Sequence, residues 1–120
     1  MRPVPAALAL LLLLAGAADG PEGDFTDLTG IPAMEGLAEV PDSLIVFDKE
    51  EGRIIEAVFQ GDAAPEAAAA FYREALFQLG WELESESEAA LGFIRDGERL
   101  SLEFSAGPRL QIRFRLGPAS

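Results

Sequence analysis

A chain of 120 residues has room for one domain with a modest core and not for two ordinary ones. Nine basic residues against 21 acidic ones give a formal charge of −12, so nucleic acid is a poor partner, because phosphate binding depends on neutralisation by Lys and Arg. With neither Cys nor His, the sequence lacks disulfides, a lipid-modified cysteine, the thiol nucleophile, the commonest general base and the commonest transition-metal ligand.

In chain order, Met-Arg-Pro-Val-Pro leads into an apolar run from Ala6 to Ala15 and then the small residues Ala15-Gly16-Ala17. A positive start, a short apolar middle and an A-x-A-like site predict a secretory signal over residues 1–18, cleaved near Ala17 or Ala18. The run falls short of the roughly 20 apolar residues a span requires, and Asp19, Glu22 and Asp24 follow it directly, so no stable membrane anchor is expected after cleavage. The mature chain would be periplasmic or secreted. Loss of Arg2 would leave eight basic residues against 21 acidic ones, a surface that favours solubility or a basic partner.

Residues 19–41 are rich in Gly, Pro and Asp yet carry Phe25, Leu28, Ile31, Met34, Leu37 and Val40, more apolar groups than a disordered tail holds. They read as a mobile start, over Asp19 to Gly23, followed by an irregular covering segment with one helical turn near Ala33 to Leu37. A single domain is expected over 42–118. "SLIVFD" and "RIIEAVFQG", separated by "KEEG", predict two antiparallel strands. In the second, Ile55, Ala57 and Phe59 share one face and Ile54, Glu56 and Val58 the other, the pattern of a strand in a central position or covered on each side.

"GDAAPEAAAAFYREALFQLG" predicts a helix capped by Asp62 or Ala64, with Pro65 in its first turn and Gly80 after its end. Its apolar stripe holds Ala68, Ala69, Tyr72, Ala75, Leu76 and Leu79, with Phe71 on the flank, while Phe77 projects from the opposite side. In "WELESE", strand alternation puts Trp81 and Leu83 on one face and Glu82, Glu84 and Glu86 on the other. Asp96-Gly97 between two apolar runs predicts a hairpin, with Leu100, Leu102 and Phe104 inward. "RLQIRFRL" alternates Leu110, Ile112, Phe114 and Leu116 with Gln111, Arg113 and Arg115. The expected fold class is therefore α+β: an antiparallel β-sheet of about five or six strands with one α-helix packed on one face, in ββαββββ order.

The leader, "IPAMEGL", "FDKEEGRIIEAVFQG", the helix end "FYREALFQLGW" and the hairpin "GFIRDGERLSLEF" together resemble small exported proteins of alphaproteobacteria. The resemblance spans nearly the whole mature chain and implies a compartment and a fold, with no activity and no catalytic residue attached. In those relatives proline occupies the helix position that Phe77 holds here.

Four groups of residues are candidates for function. Tyr72 and Trp81 either fill the core or bound a small-molecule pocket between helix and sheet. The ladder Glu82, Glu84, Glu86 and Glu88 either guards a strand edge or spaces carboxylates for glycoside or cation chemistry. Arg95, Arg99, Arg109, Arg113 and Arg115 either pair across strands or receive an anionic ligand or an acidic partner. Phe77 is an exposed contact. Neither a phosphate-gripping glycine loop nor a G-x-S-x-G elbow is present, and the sole lysine, Lys49, falls in a turn, so no catalytic residue, cofactor or metal site is expected. The favoured expectation is a non-catalytic interaction or assembly module of the cell envelope, with a protein partner or a second copy of itself meeting Phe77, Arg113 and Arg115. The alternative is a small-ligand carrier or a carboxylate-only enzyme. One helix, about 10–12 Å across, covers only two or three strands spaced about 4.8 Å apart. A curled sheet, the Phe25 to Val40 segment or another protein must cover the rest.

Overall fold

A computed structural model of the chain describes residues 23–119; the signal expected at 1–18 and the start of the segment expected at 19–41 lie outside them. Two helices, α1 (Phe25–Thr29) and α2 (Pro65–Gln78), accompany seven strands: β1 (Leu37–Glu39), β2 (Ile45–Lys49), β3 (Gly52–Gly61), β4 (Glu82–Glu86), β5 (Ala90–Arg95), β6 (Glu98–Ser105) and β7 (Leu110–Pro118). The molecule is α+β, one antiparallel sheet of order β1-β3-β7-β6-β5-β4, with β2 also paired to β3. All the expected strands are present, and β1 and α1 are additional.

α1 forms because Asp24 and Asp27 cap its start reciprocally. The Asp24 carboxylate accepts from the Asp27 N–H at 2.8 Å, and the Asp27 carboxylate accepts from the Asp24 N–H at 3.2 Å. Gly30, at φ 79°, closes the turn. The helical turn thus lies at 25–29 and not near Ala33 to Leu37, where the chain turns instead into β1. Its position is fixed by Phe25, whose ring is fully buried 5.8 Å from Phe59 and 5.2 Å from Phe114.

β1 and β2 occupy the same edge of β3, because β7 takes the other edge along Ile55–Gly61. Between them Val40-Pro41-Asp42-Ser43 makes a β-turn with the Ser43 N–H bonded to the Val40 carbonyl, Pro41 at its second position and Asp42 at φ 65°. The Ser43 hydroxyl fills the gap in the ladder: it accepts from the Val58 N–H at 3.0 Å and donates to the Val40 carbonyl at 2.8 Å. Near β1, a Cβ on Gly61 would fall 1.8 Å from the Gly36 carbonyl oxygen, so only glycine lets the two backbones close.

α2 starts at Ala64 without a side-chain cap, Pro65 taking the first turn, while Asp62 pairs instead with Arg109. It ends in a Schellman arrangement: the Trp81 N–H reaches the Leu76 carbonyl at 2.9 Å and the Gly80 N–H reaches Phe77 at 3.0 Å, with Gly80 at φ 92°. Ala68, Tyr72 and Leu76 are buried as the stripe requires. Leu79, expected in that stripe, is 41% exposed because the chain turns away at the helix C-cap.

The core lies between α2 and one face of the sheet, where Ile55, Ala57 and Phe59 meet Leu100, Leu102, Ile112 and Phe114. α2 does not cover the whole of this face. Phe25 and Ile31, both buried, with Leu28 and Met34 packed beside them, bring the segment before β1 onto the same core. The cover missing from a one-helix layer therefore comes from the chain itself. Asp96 (φ 49°) and Gly97 (φ 81°) form the expected hairpin turn.

Candidate functional site: an open edge strand beside a mixed-charge sheet face

Strand pairing sends alternate side chains to a sheet face that neither described helix covers. From β2 it receives Ile45, Phe47 and Lys49; from β3, Ile54, Glu56 and Val58; from β7, Arg113 and Arg115; from β6, Arg99, Ser101 and Glu103. Lys49, placed in a turn by sequence, is the last residue of β2. Glu50 and Glu51 alone make the turn.

The two edges of the sheet differ. β4 is exposed throughout and presents Glu82, Glu84 and Glu86, interrupted by a bulge between Leu83 and Ser85. Charge and a bulge both discourage pairing with another chain. β2 instead carries Ile45 at 49% and Phe47 at 39% exposure on its outward face, with its outer backbone edge open. Sequence reasoning identified "SLIVFD" as a strand but not as this edge, because a short apolar run looks alike at the centre and at the margin of a sheet.

The bulge also breaks the glutamate ladder. Glu84 stays on the uncovered face and receives the Arg99 guanidinium at 2.9 and 3.2 Å, whereas Glu86 turns to the helix side and pairs with Arg73. The Arg99 hydrogen bonds hold the Glu84 carboxyl below its usual range, and Glu84 raises Arg99 in return. A single line of same-face carboxylates does not form. Among the described residues no three Asp or Glu side chains converge as a metal-holding group.

Tyr72 and Trp81 are core. Their exposures are 0% and 2%, so of the two readings these rings fill the core and do not bound a pocket. The Tyr72 hydroxyl donates to the Pro32 carbonyl at 2.9 Å and accepts from the Met34 N–H at 3.1 Å, clamping the covering segment onto α2. Burial pushes this phenol up to about 12. Trp81 lies under the Arg95 guanidinium, 4.4 Å from the ring centroid, and Arg95 also donates to the Leu79 carbonyl at the end of α2. A groove of about 670 Å³ does exist between helix and sheet, but at the opposite end of α2, where Ala69, Leu91, Phe104 and the Arg73–Glu86 pair surround it.

The expected interaction surface does not assemble as one patch. Phe77, 73% exposed, stands on the solvent side of α2, while Arg113 and Arg115 occupy the far face of the sheet. Arg113 lies opposite Glu103 in register, as expected, and Arg115 contacts Glu56 on β3 at 3.5 Å. Compared with known proteins, the chain matches no family model, no curated protein and no solved structure. No helix of the described residues is long and apolar enough to cross a membrane.

Proposed function

We propose that the protein is an exported, non-catalytic module of the cell envelope, periplasmic or secreted after loss of residues 1–18, which binds another protein by adding a strand of that partner to the β2 edge. The resemblance to small exported alphaproteobacterial proteins belongs to the same proposal. The observation that carries it is the contrast between the edges: β4 is charged and bulged, whereas β2 is open and exposes Ile45 and Phe47. Strand addition supplies main-chain hydrogen bonds for affinity and alternate side chains for specificity. Burying the exposed parts of Ile45 and Phe47 adds roughly 1 kcal/mol each. The test is affinity capture from the native envelope with the wild type, an Ile45→Asp/Phe47→Asp double variant and Phe77→Asp. A specific partner should be lost with the double variant and retained with Phe77→Asp; loss only with Phe77→Asp would move the contact to α2.

A second reading, a small-ligand carrier, is favoured by the groove beside Ala69 and Phe104. Its test is Ala69→Trp, which fills that groove and should abolish ligand binding while leaving capture through β2 intact.

A further inference from the structure

A depression of about 440 Å³ opens on the uncovered sheet face, and it combines an apolar floor with a cationic rim. Pro118 supplies the accessible apolar surface over a nearly buried Ile54, and Gly117 keeps the floor low, since a Cβ there would press on Ile54 Cγ1 at 3.3 Å. Ile54 is only 3% exposed although neither described helix lies over it, so its neighbours form real walls. Lys49, Arg99 and Arg115 stand around it, with Glu51 the one acidic side chain in the lining among the described residues.

The three cations are not equivalent. Arg99 is spent: its guanidinium holds Glu84 through two hydrogen bonds and donates to the Ala119 carbonyl, which makes it a rigid wall. Among the described residues Arg115 makes one ionic contact, to Glu56, and it is long at 3.5 Å, which leaves donors for a ligand. Among the described residues Lys49 has no carboxylate within ion-pair reach; its ammonium lies 5.9 Å from the centroid of the Phe47 ring. In a chain of charge −12, the sole lysine and a half-engaged arginine thus overlook this floor, with Glu51 in the same lining and Glu56 at 3.5 Å from Arg115.

We propose that this depression binds a carboxylate borne on a small apolar body, the apolar part resting on Pro118 above the Ile54–Gly117 floor and the carboxylate received by Lys49 and Arg115. Two sources offer that chemistry, a free organic acid and an acidic side chain on a partner's strand. The site stands independently of strand addition at β2 and survives if that addition fails.

The test is a two-dimensional amide NMR titration of the purified full chain with three probes: hexanoate, inorganic phosphate and an end-blocked hexapeptide of alternating Glu and Val. Hexanoate, the peptide or both should produce saturable shifts at Ile54 and Gly117. Lys49→Gln and Arg115→Gln should each weaken binding by about fivefold or more, while Arg109→Gln, at the far end of β7, leaves it unchanged. A peptide at least about tenfold tighter than hexanoate assigns the carboxylate to a partner, and the reverse assigns it to a free acid. Phosphate binding as tightly as hexanoate would reduce the depression to a general anion patch and overturn the proposal. So would saturable shifts indifferent to both substitutions, or no saturable shift with hexanoate and peptide.

Discussion

Tyr72 joins three parts of the molecule through one side chain. Its ring packs 5.2 Å from Phe114, its backbone belongs to α2, and its hydroxyl satisfies Pro32 and Met34 in the covering segment. Removing the hydroxyl leaves a half-buried carbonyl and a half-buried N–H without that partner. Tyr72→Phe should therefore lose about 1–3 kcal/mol of stability in urea unfolding, which Trp81 fluorescence can follow. The same residue makes a pH prediction. The folded protein holds the phenol protonated up to about 12, whereas the unfolded chain releases the proton near 10. Between those values the unfolded state binds fewer protons, so stability falls as pH rises, by on the order of 2–3 kcal/mol across the window. Since the chain has one tyrosine, absorbance at 295 nm reports this group alone. Ionisation near 12, or coincident with unfolding, is expected; a folded protein ionising near 10 would show that the hydroxyl is not buried.

Among the elements, the legible ones were those with a repeating pattern and a terminator. α2 announces itself through Pro65, the Tyr72–Leu76 stripe and Gly80, and the β5–β6 hairpin through Asp96-Gly97. α1 and β1 were missed because five and three residues cannot establish a period; only the Asp24–Asp27 pair signals the first. The bulge in β4 was equally hidden, since register shifts arise from pairing with β5 and not from the alternation of "WELESE" itself. Of the candidate residues, the burial of Tyr72 and the exposure of Phe77 were readable from helix phase. That Phe77 and Arg113 face opposite ways is a matter of sheet topology, which local patterns do not encode. The covering segment makes its own prediction. Phe25 is fully buried among Phe59 and Phe114, so Phe25→Ala should lose about 3–5 kcal/mol, like a core deletion, when thermal or urea unfolding is measured. A loss under about 1 kcal/mol would mean that the segment only lies on the surface.

At the scale of the whole molecule, the sheet divides it into two unlike sides. The helix side is covered by α2 and by the segment around Phe25 except at the groove beside Ala69, and on the other, which neither described helix covers, Lys49, Arg99, Arg113 and Arg115 interleave with Glu56, Glu84 and Glu103 next to the β2 edge. An antiparallel sheet tolerates one solvated face, so openness alone is ordinary. What distinguishes this one is the asymmetry of its margins, a bulged, glutamate-bearing edge at β4 and an unbulged one at β2 that exposes Ile45 and Phe47 alongside Asp48 and Lys49. Partner binding through that margin would leave a backbone signature, because only every second amide of an edge strand points outward. Amide hydrogen exchange on the protein with and without its captured partner reads that signature residue by residue. Protection of alternate amides between Ile45 and Lys49, with β4 and the Phe77 surface of α2 unchanged, is the result expected; unaltered exchange along β2 with new protection on α2 or β4 would contradict strand addition at this edge.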